Sequence, residues 1–463
     1  MIDVNCKDRS HLGMVILLII MVLLLVGCDK GVFLEKKPSS SLVVPTKIAE
    51  LQGLMDNEFS VYGTPLMGML SSDEYYLKNK DFEAQNAKSR NTYTWAVNVY
   101  DGDSYGVIND WNQLFSQVLI ANIVLEGLEA IEPAAAEVDR WRYTKGAAYF
   151  LRAKAFFGLA EVFCLPYDAQ TADVDLGLPL RLHSDIKRTT PRASLADTYA
   201  QIIKDLKQSE ELIDFDGVWP NKLRPTKLTV LAMLARVCLS QRKYVEAMDH
   251  ANNALLRYPN LLDYNGVMVF KLDNPELLSH AITVSGETML TTSSGVMHVD
   301  SILYNSYHAN DLRKTLLYKV MPDSRVTLNT TYSTLTYPFT GLATDELYLI
   351  RAEGYARKGE LALAAKDINT LLVKRYKTGT YTPITFADSE SALAAILLER
   401  RKELAFRGVR WSDIRRLNKE GYDIRMKRVL DGTIYILPAN DLRFALSIPP
   451  YEIALSGLED NPR

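Results

Sequence analysis

The sequence predicts a mainly α-helical protein, in which a scaffold of paired helical hairpins carries an irregular, loop-rich subdomain. Three observations predict it. Apolar residues recur at three- and four-residue steps through 110–259 and 343–417, which gathers them on one helical face. One hairpin pattern occurs twice. Two stretches, 71–109 and 260–342, keep no sustained period and are rich in Tyr, Thr, Ser and Asn.

The hairpin pattern is clearest in Lys227 to Pro259. Leu231, Leu234, Ala235 and Cys238 share a face of the first helix. Gln241, Arg242 and Lys243 mark a turn, Ala247, Ala251, Ala254 and Leu255 form the second apolar face, and Pro259 ends it. Leu349 to Arg375 repeats the pattern without a gap: Ala352 answers Ala235, Ala364 answers Ala247 and Ile368 answers Ala251, all at one offset. Small residues let helices approach closely, and a lone hairpin leaves one side apolar, so each pair needs another against it. The pattern resembles tetratricopeptide repeats.

In chain order, residues 1–27 read as a signal peptide. Lys7 and Arg9 precede an apolar run from Leu12 to Val26, too short to span a bilayer comfortably. Leu25-Val26-Gly27-Cys28 resembles a bacterial lipobox, which makes Cys28 the expected lipid anchor. Residues 28–45 then form a tether, and 46–463 the folded domain. A short helix is expected over 46–58. Stretch 71–109 sets Tyr75, Tyr76, Tyr93, Trp95, Tyr100 and Tyr105 among Asp, Asn and Ser, which is loop composition with aromatic content. Long helices follow at Asp110–Ala130 and Trp141–Cys164. Ser194 reads as the N-cap of a helix through Ile213. The stretch 260–342 is too long for a bare loop and is expected to be irregular structure of its own. Helix resumes at Glu399–Leu417.

Charge is nearly balanced, 53 basic against 56 acidic residues, which gives no sign of nucleic-acid binding. Of four cysteines, Cys164 and Cys238 lie in apolar helical runs and read as buried thiols rather than a disulfide. No Cys/His spacing marks a metal site, no cofactor motif occurs, and the common catalytic motifs are absent. Glu399 and Glu403 stand four residues apart, but Arg400, Arg401 and Lys402 between them point to an ion-pair network rather than to catalysis.

Motifs across the chain resemble, in order, those of the RagB/SusD family of outer-membrane nutrient-binding lipoproteins. They are Phe33-Leu34-Glu35 with Pro38, Phe150-Leu151-Arg152-Ala153 with Phe156, Tyr199 to Ile203 with Asp205-Leu206, and Arg224-Pro225-Thr226-Lys227. Further on come Ala352-Glu353 with Ala356 and Gly359, then Glu399 to Leu404 with Arg410-Trp411 and Asp413 to Arg416. Ser447-Ile448-Pro449-Pro450 with Glu452-Ile453, and Asn461-Pro462, complete the series. Pro450-Tyr451 departs from it, since a more polar pair is expected there. The resemblance implies a non-enzymatic lipoprotein, lipid-anchored in the outer membrane at the cell surface. It implies capture of an oligosaccharide, or of peptide in some members, for a partner TonB-dependent (SusC-like) transporter. A repeat scaffold binding only proteins and a surface glycoside hydrolase are the rivals from other classes. Sugar C–H faces stack on aromatic rings, so Trp95 is the first ligand-contact candidate, with Tyr75, Tyr76 and Tyr100 from the same stretch and Tyr304 and Tyr307 from 260–342.

Overall fold

Local capping sets the helices. The Thr226 hydroxyl accepts the Thr229 N–H, and Thr229 Oγ1 accepts in return from the Thr226 N–H. Ser194 caps its helix through the Asp197 N–H, and Asp388 caps another through Ser391. In the computed structural model, residues 45–463 are described apart from 103–108, 221, 267–269, 271–272, 284–288 and 334–335. The signal peptide, nearly all of the tether with Cys28, and Tyr105 lie outside the described residues.

The principal helices are α1 (Ile48–Met55), α2 (Asn109–Glu129), α3 (Val138–Phe163), α4 (Leu195–Leu212), α5 (Lys227–Ser240), α6 (Tyr244–Arg257), α7 (Thr344–Arg357), α8 (Leu361–Leu372), α9 (Ser389–Glu403), α10 (Arg410–Asn418) and α11 (Pro450–Ser456). They stack in sequence: α2 on α3, α3 on α4, α5 on α6, α6 on α7, α7 on α8 and on α9. The repeated hairpins are α5–α6 and α7–α8. Ala235, Ala352, Ala247, Ala364 and Ala251 are fully buried, and Ile368 nearly so. The two turns match as well: Arg242 and Gly359 hold the same place in the repeat, with φ of 62° and 76°. Gly354 lets α6 reach α7, because a Cβ there would stand 2.5 Å from Met248 Cβ.

Strands are short and come in pairs. In chain order they are β1 (Gly63–Thr64), β2 (Tyr75–Tyr76), β3 (Leu176–Pro179), β4 (Arg192–Ser194), β5 (Leu277–Ser279), β6 (Ile282–Thr283), β7 (His298–Val299), β8 (Tyr318–Val320), β9 (Val326–Leu328), β10 (Leu342–Ala343), β11 (Met426–Leu430) and β12 (Thr433–Leu437). Pairing β1 with β6 and β2 with β7 ties the chain near residues 63–76 to the stretch after residue 260.

Charged side chains are as deeply placed as apolar ones. Arg313 bonds Asp311 at 2.6 Å, Glu399 at 2.5 Å and Glu403 at 2.6 Å. Arg375 bonds Glu403 and Glu276, both at 2.7 Å. A second chain runs Arg236–Glu346–Arg400–Asp413–Arg416–Glu353. Glu399 and Glu403 therefore belong to an ion-pair network, as their sequence setting suggests. Their chief partners are distant arginines, and Lys402–Glu399 is the local pair. Cys164 and Cys238 are free buried thiols, and burial pushes each up to about 11.

Burial alone would push Glu403 up, but the guanidiniums of Arg375 and Arg313 outweigh it and hold the carboxyl down to about 2. Its contribution is fully present above the ordinary value of 4.5 and is lost as pH falls toward 2. Glu403→Gln leaves two buried guanidiniums underpaired, so it should cost about 3–5 kcal/mol at pH 7. Chemical denaturation at several pH values checks this, with the gap from wild type closing between pH 4.5 and 2.

Candidate functional site

The two irregular stretches meet at β2–β7. Tyr75 faces Val299 and Tyr76 faces His298. Successive strand residues point to opposite sides, so Tyr75 is buried while Tyr76 stays 42% exposed. The Tyr76 ring stacks on the His298 imidazole, centroids 4.8 Å apart and 27° between planes. His298 is buried beneath it. Burial, then the nearby Lys78 and Arg325 charges, pull its pKa down and favour the neutral ring. The β8–β9 hairpin packs beside β7. Its turn carries exposed Asp323 and half-buried Arg325, while exposed Lys78 and half-buried Asp81 come from the β2 side. The result is an aromatic face rimmed by acids and bases, fit to stack a flat apolar surface while hydrogen-bonding hydroxyls around it.

Tyr304, in the helix Ser301–Ser306 that follows β7, is half-buried. Its ring meets Tyr318 edge-on at 5.9 Å, with Lys314 Nζ 4.9 Å from its centroid. Of the six aromatic candidates, Tyr76 and Tyr304 keep access to solvent.

The other four are corrected to core residues. Trp95 is 1% exposed, packs with Trp411, Ile414, Met426, Leu437 and Phe444, and donates Nε1–H to the Ser71 carbonyl at 3.0 Å. The Tyr75 hydroxyl donates to the Leu70 carbonyl, Tyr100 to Ser447 and Tyr307 to Lys402. All three rings are buried. For Trp95 and Tyr75 the physical reason is distant in sequence: Arg428 on β11 inserts its guanidinium among Tyr75, Tyr93 and Trp95, at 5.5, 4.3 and 5.0 Å from their centroids. It also bonds the Ser72 and Tyr75 carbonyls. A desolvated cation draws rings around it.

Sequence reasoning missed His298, Lys78, Asp323 and Arg325 as site neighbours. The strand alternation at Tyr75-Tyr76 was the available signal. It also missed an open groove of about 610 Å³ between α2, residues 180–191 and α11. There Arg181 pairs with Glu452 and lies 4.8 Å over the Phe115 ring. Among the described residues, no three His, Cys, Asp or Glu side chains are placed to hold a metal ion.

Trp95→Ala should remove a filled core volume and cost about 3–5 kcal/mol. Thermal denaturation checks it, and a melting temperature equal to wild type would contradict the core placement.

Two family models match the chain: one described as starch-binding associating with outer membrane, over residues 32–239, and one for the SusD family, over residues 285–441. No curated protein matches. Solved structures do. A SusD superfamily protein from Bacteroides thetaiotaomicron aligns with TM-score 0.73 and 20% identity, covering 90% of this chain and 100% of its own. A protein described as sugar binding from Bacteroides vulgatus gives 0.71 and 20%, covering 91% and 99%. A laminarin-binding SusD-like protein gives 0.63 and 17%, covering 89% and 98%. At such identities the structures establish the fold, and the two models, matched in order along the sequence, establish the relationship: the chain belongs to the SusD/RagB family.

Proposed function

We propose that this protein is a cell-surface lipoprotein that binds an oligosaccharide and hands it to a TonB-dependent outer-membrane transporter. The observation that carries the binding part is the exposed Tyr76 ring on His298, at the seam of the two irregular stretches. Tyr304 is a secondary contact. Family membership supports the sugar class, and a structural neighbour is itself named as laminarin-binding. Binding rather than catalysis is supported by Glu399 and Glu403, whose carboxylates are committed to arginines and a lysine. Such groups have no freedom to act as a general acid and base. No helix among the described residues is long and apolar enough to cross a membrane. Attachment is assigned to lipid on Cys28 because Leu25-Val26-Gly27-Cys28 has the form of a lipobox.

One ring with a polar rim supports weak, micromolar-type binding. Against a panel of oligosaccharides, Tyr76→Ala should weaken binding about tenfold and leave the melting temperature nearly unchanged. Calorimetry on wild type and variant decides it. If affinity is unchanged for a sugar that wild type binds, the ligand sits elsewhere. The anchor has its own measurement. Cys28→Ala should abolish palmitate labelling and move the protein out of the membrane fraction. The wild type, gently extracted, should bring a β-barrel transporter with it.

A further inference from the structure

A cavity of about 100 Å³ lies where α3 and α5 meet segments 63–69, 279–281, 340–342 and 407–412. That is room for about three water molecules. Four cationic side chains line it: Lys154, Arg236, Arg400 and Arg407. One carboxylate does, Glu161, and it is occupied by the Tyr199 hydroxyl at 2.9 Å and lies 3.8 Å from Arg415. The acids paired with the three arginines, Glu346, Asp413 and Asp345, are not in the lining.

The lining is rich in donors and poor in acceptors. Arg400 Nη1, Arg407 Nε and Trp411 Nε1 are buried with no acceptor in reach, on residues no more than 4% exposed. A desolvated donor left without an acceptor is destabilising. Lys154 donates to the Val61 carbonyl but has no carboxylate partner among the described residues. Burial pulls its pKa down to about 7, the behaviour of a cation with nothing to neutralise it. Of the lining hydroxyls, Thr64 and Thr340 bond each other, Thr64 also meets the Ile282 carbonyl, and Ser240 donates to the Val237 carbonyl, while Ser279 and Ser412 can add further O–H donors.

We propose that this cavity binds a small inorganic anion of chloride size, held by Lys154, Arg400, Arg407 and Trp411. A water placed here accepts from the orphaned N–H groups but must also find acceptors for its own two hydrogens, and the lining offers few. An anion only accepts, so it fits a wall in which donors predominate, and it neutralises Lys154. It would join α3, α9 and the turn into α10 at one point. The proposal is independent of the ligand surface at Tyr76.

The full chain, purified in detergent, is melted at equal ionic strength of about 0.1 M in sodium chloride and in sodium gluconate, whose anion is too large for the cavity. Chloride should raise the melting temperature by ~2 °C, and Lys154→Met, which keeps the aliphatic stem, should remove that rise. Crystals grown in bromide should show an anomalous peak inside the cavity. Equal melting in both salts with water alone in the cavity overturns the proposal, as does a chloride effect that Lys154→Met retains in full. Should Lys154→Met fail to fold, the bromide peak or its absence in the wild type still decides.

Discussion

The pairing of Arg313 and Arg375 with Glu403 is the constraint on which the rest of the architecture depends. Both guanidiniums are fully buried. A buried charge is costly unless its partner is held in place, so the pair fixes three parts of the chain at once. Arg313 comes from the long irregular stretch, Arg375 from just beyond the second repeat hairpin, and Glu403 from the end of α9. Glu276 extends the contact to the strand region near β5. Short two-stranded pairs cannot hold a loop-rich segment against a helical scaffold by themselves. A buried network in which each guanidinium meets more than one carboxylate can, and it does so with directional specificity that apolar packing alone lacks.

This internal pairing also changes the meaning of the near-balance between acidic and basic residues. In the sequence, that balance simply argues against nucleic acid. In the folded chain, many of these charges never reach water. Glu353, for example, is shared by Arg357 and Arg416 inside the scaffold, and those guanidiniums hold its carboxyl down to about 2 against burial. Charge balance here is partly a packing requirement.

The helical part was legible because its signal is local. The three- and four-residue steps of α5 to α8, the cap at Ser194 and the turn at Gln241–Lys243 are all written within one or two helical turns of sequence. The aromatic part was legible only by halves. The sequence showed where rings cluster, and not which of them reach solvent. Trp95 looked exposed because its neighbours are polar. Its environment is set by Arg428 and Phe444, each more than three hundred residues away in sequence. Polar flanks report on the loop, whereas burial is decided by what packs on it. Tyr75, Tyr100 and Tyr307 follow the same logic, since each hydroxyl finds a buried carbonyl and the ring then has no reason to stay in water.

What remains exposed follows from the smallest rule in the chain. Adjacent residues of a strand must face opposite ways, so once Tyr75 turns inward to Arg428, Tyr76 is driven outward onto His298. The stack has a rigid base because His298 is itself buried and its charged form is disfavoured. A ring held on a neutral, fixed partner loses little freedom when a ligand lies on it, which lowers the entropy cost of binding. The platform is therefore a consequence of the core beneath it: the buried cation that takes Trp95 and Tyr75 out of contention also orients the residue beside them. Around that fixed ring, the turn bearing Asp323 and Arg325 and the segment bearing Lys78 and Asp81 lie outside the two paired residues of β2 and β7. On the function proposed above, ligand preference would be set by that rim rather than by the pair.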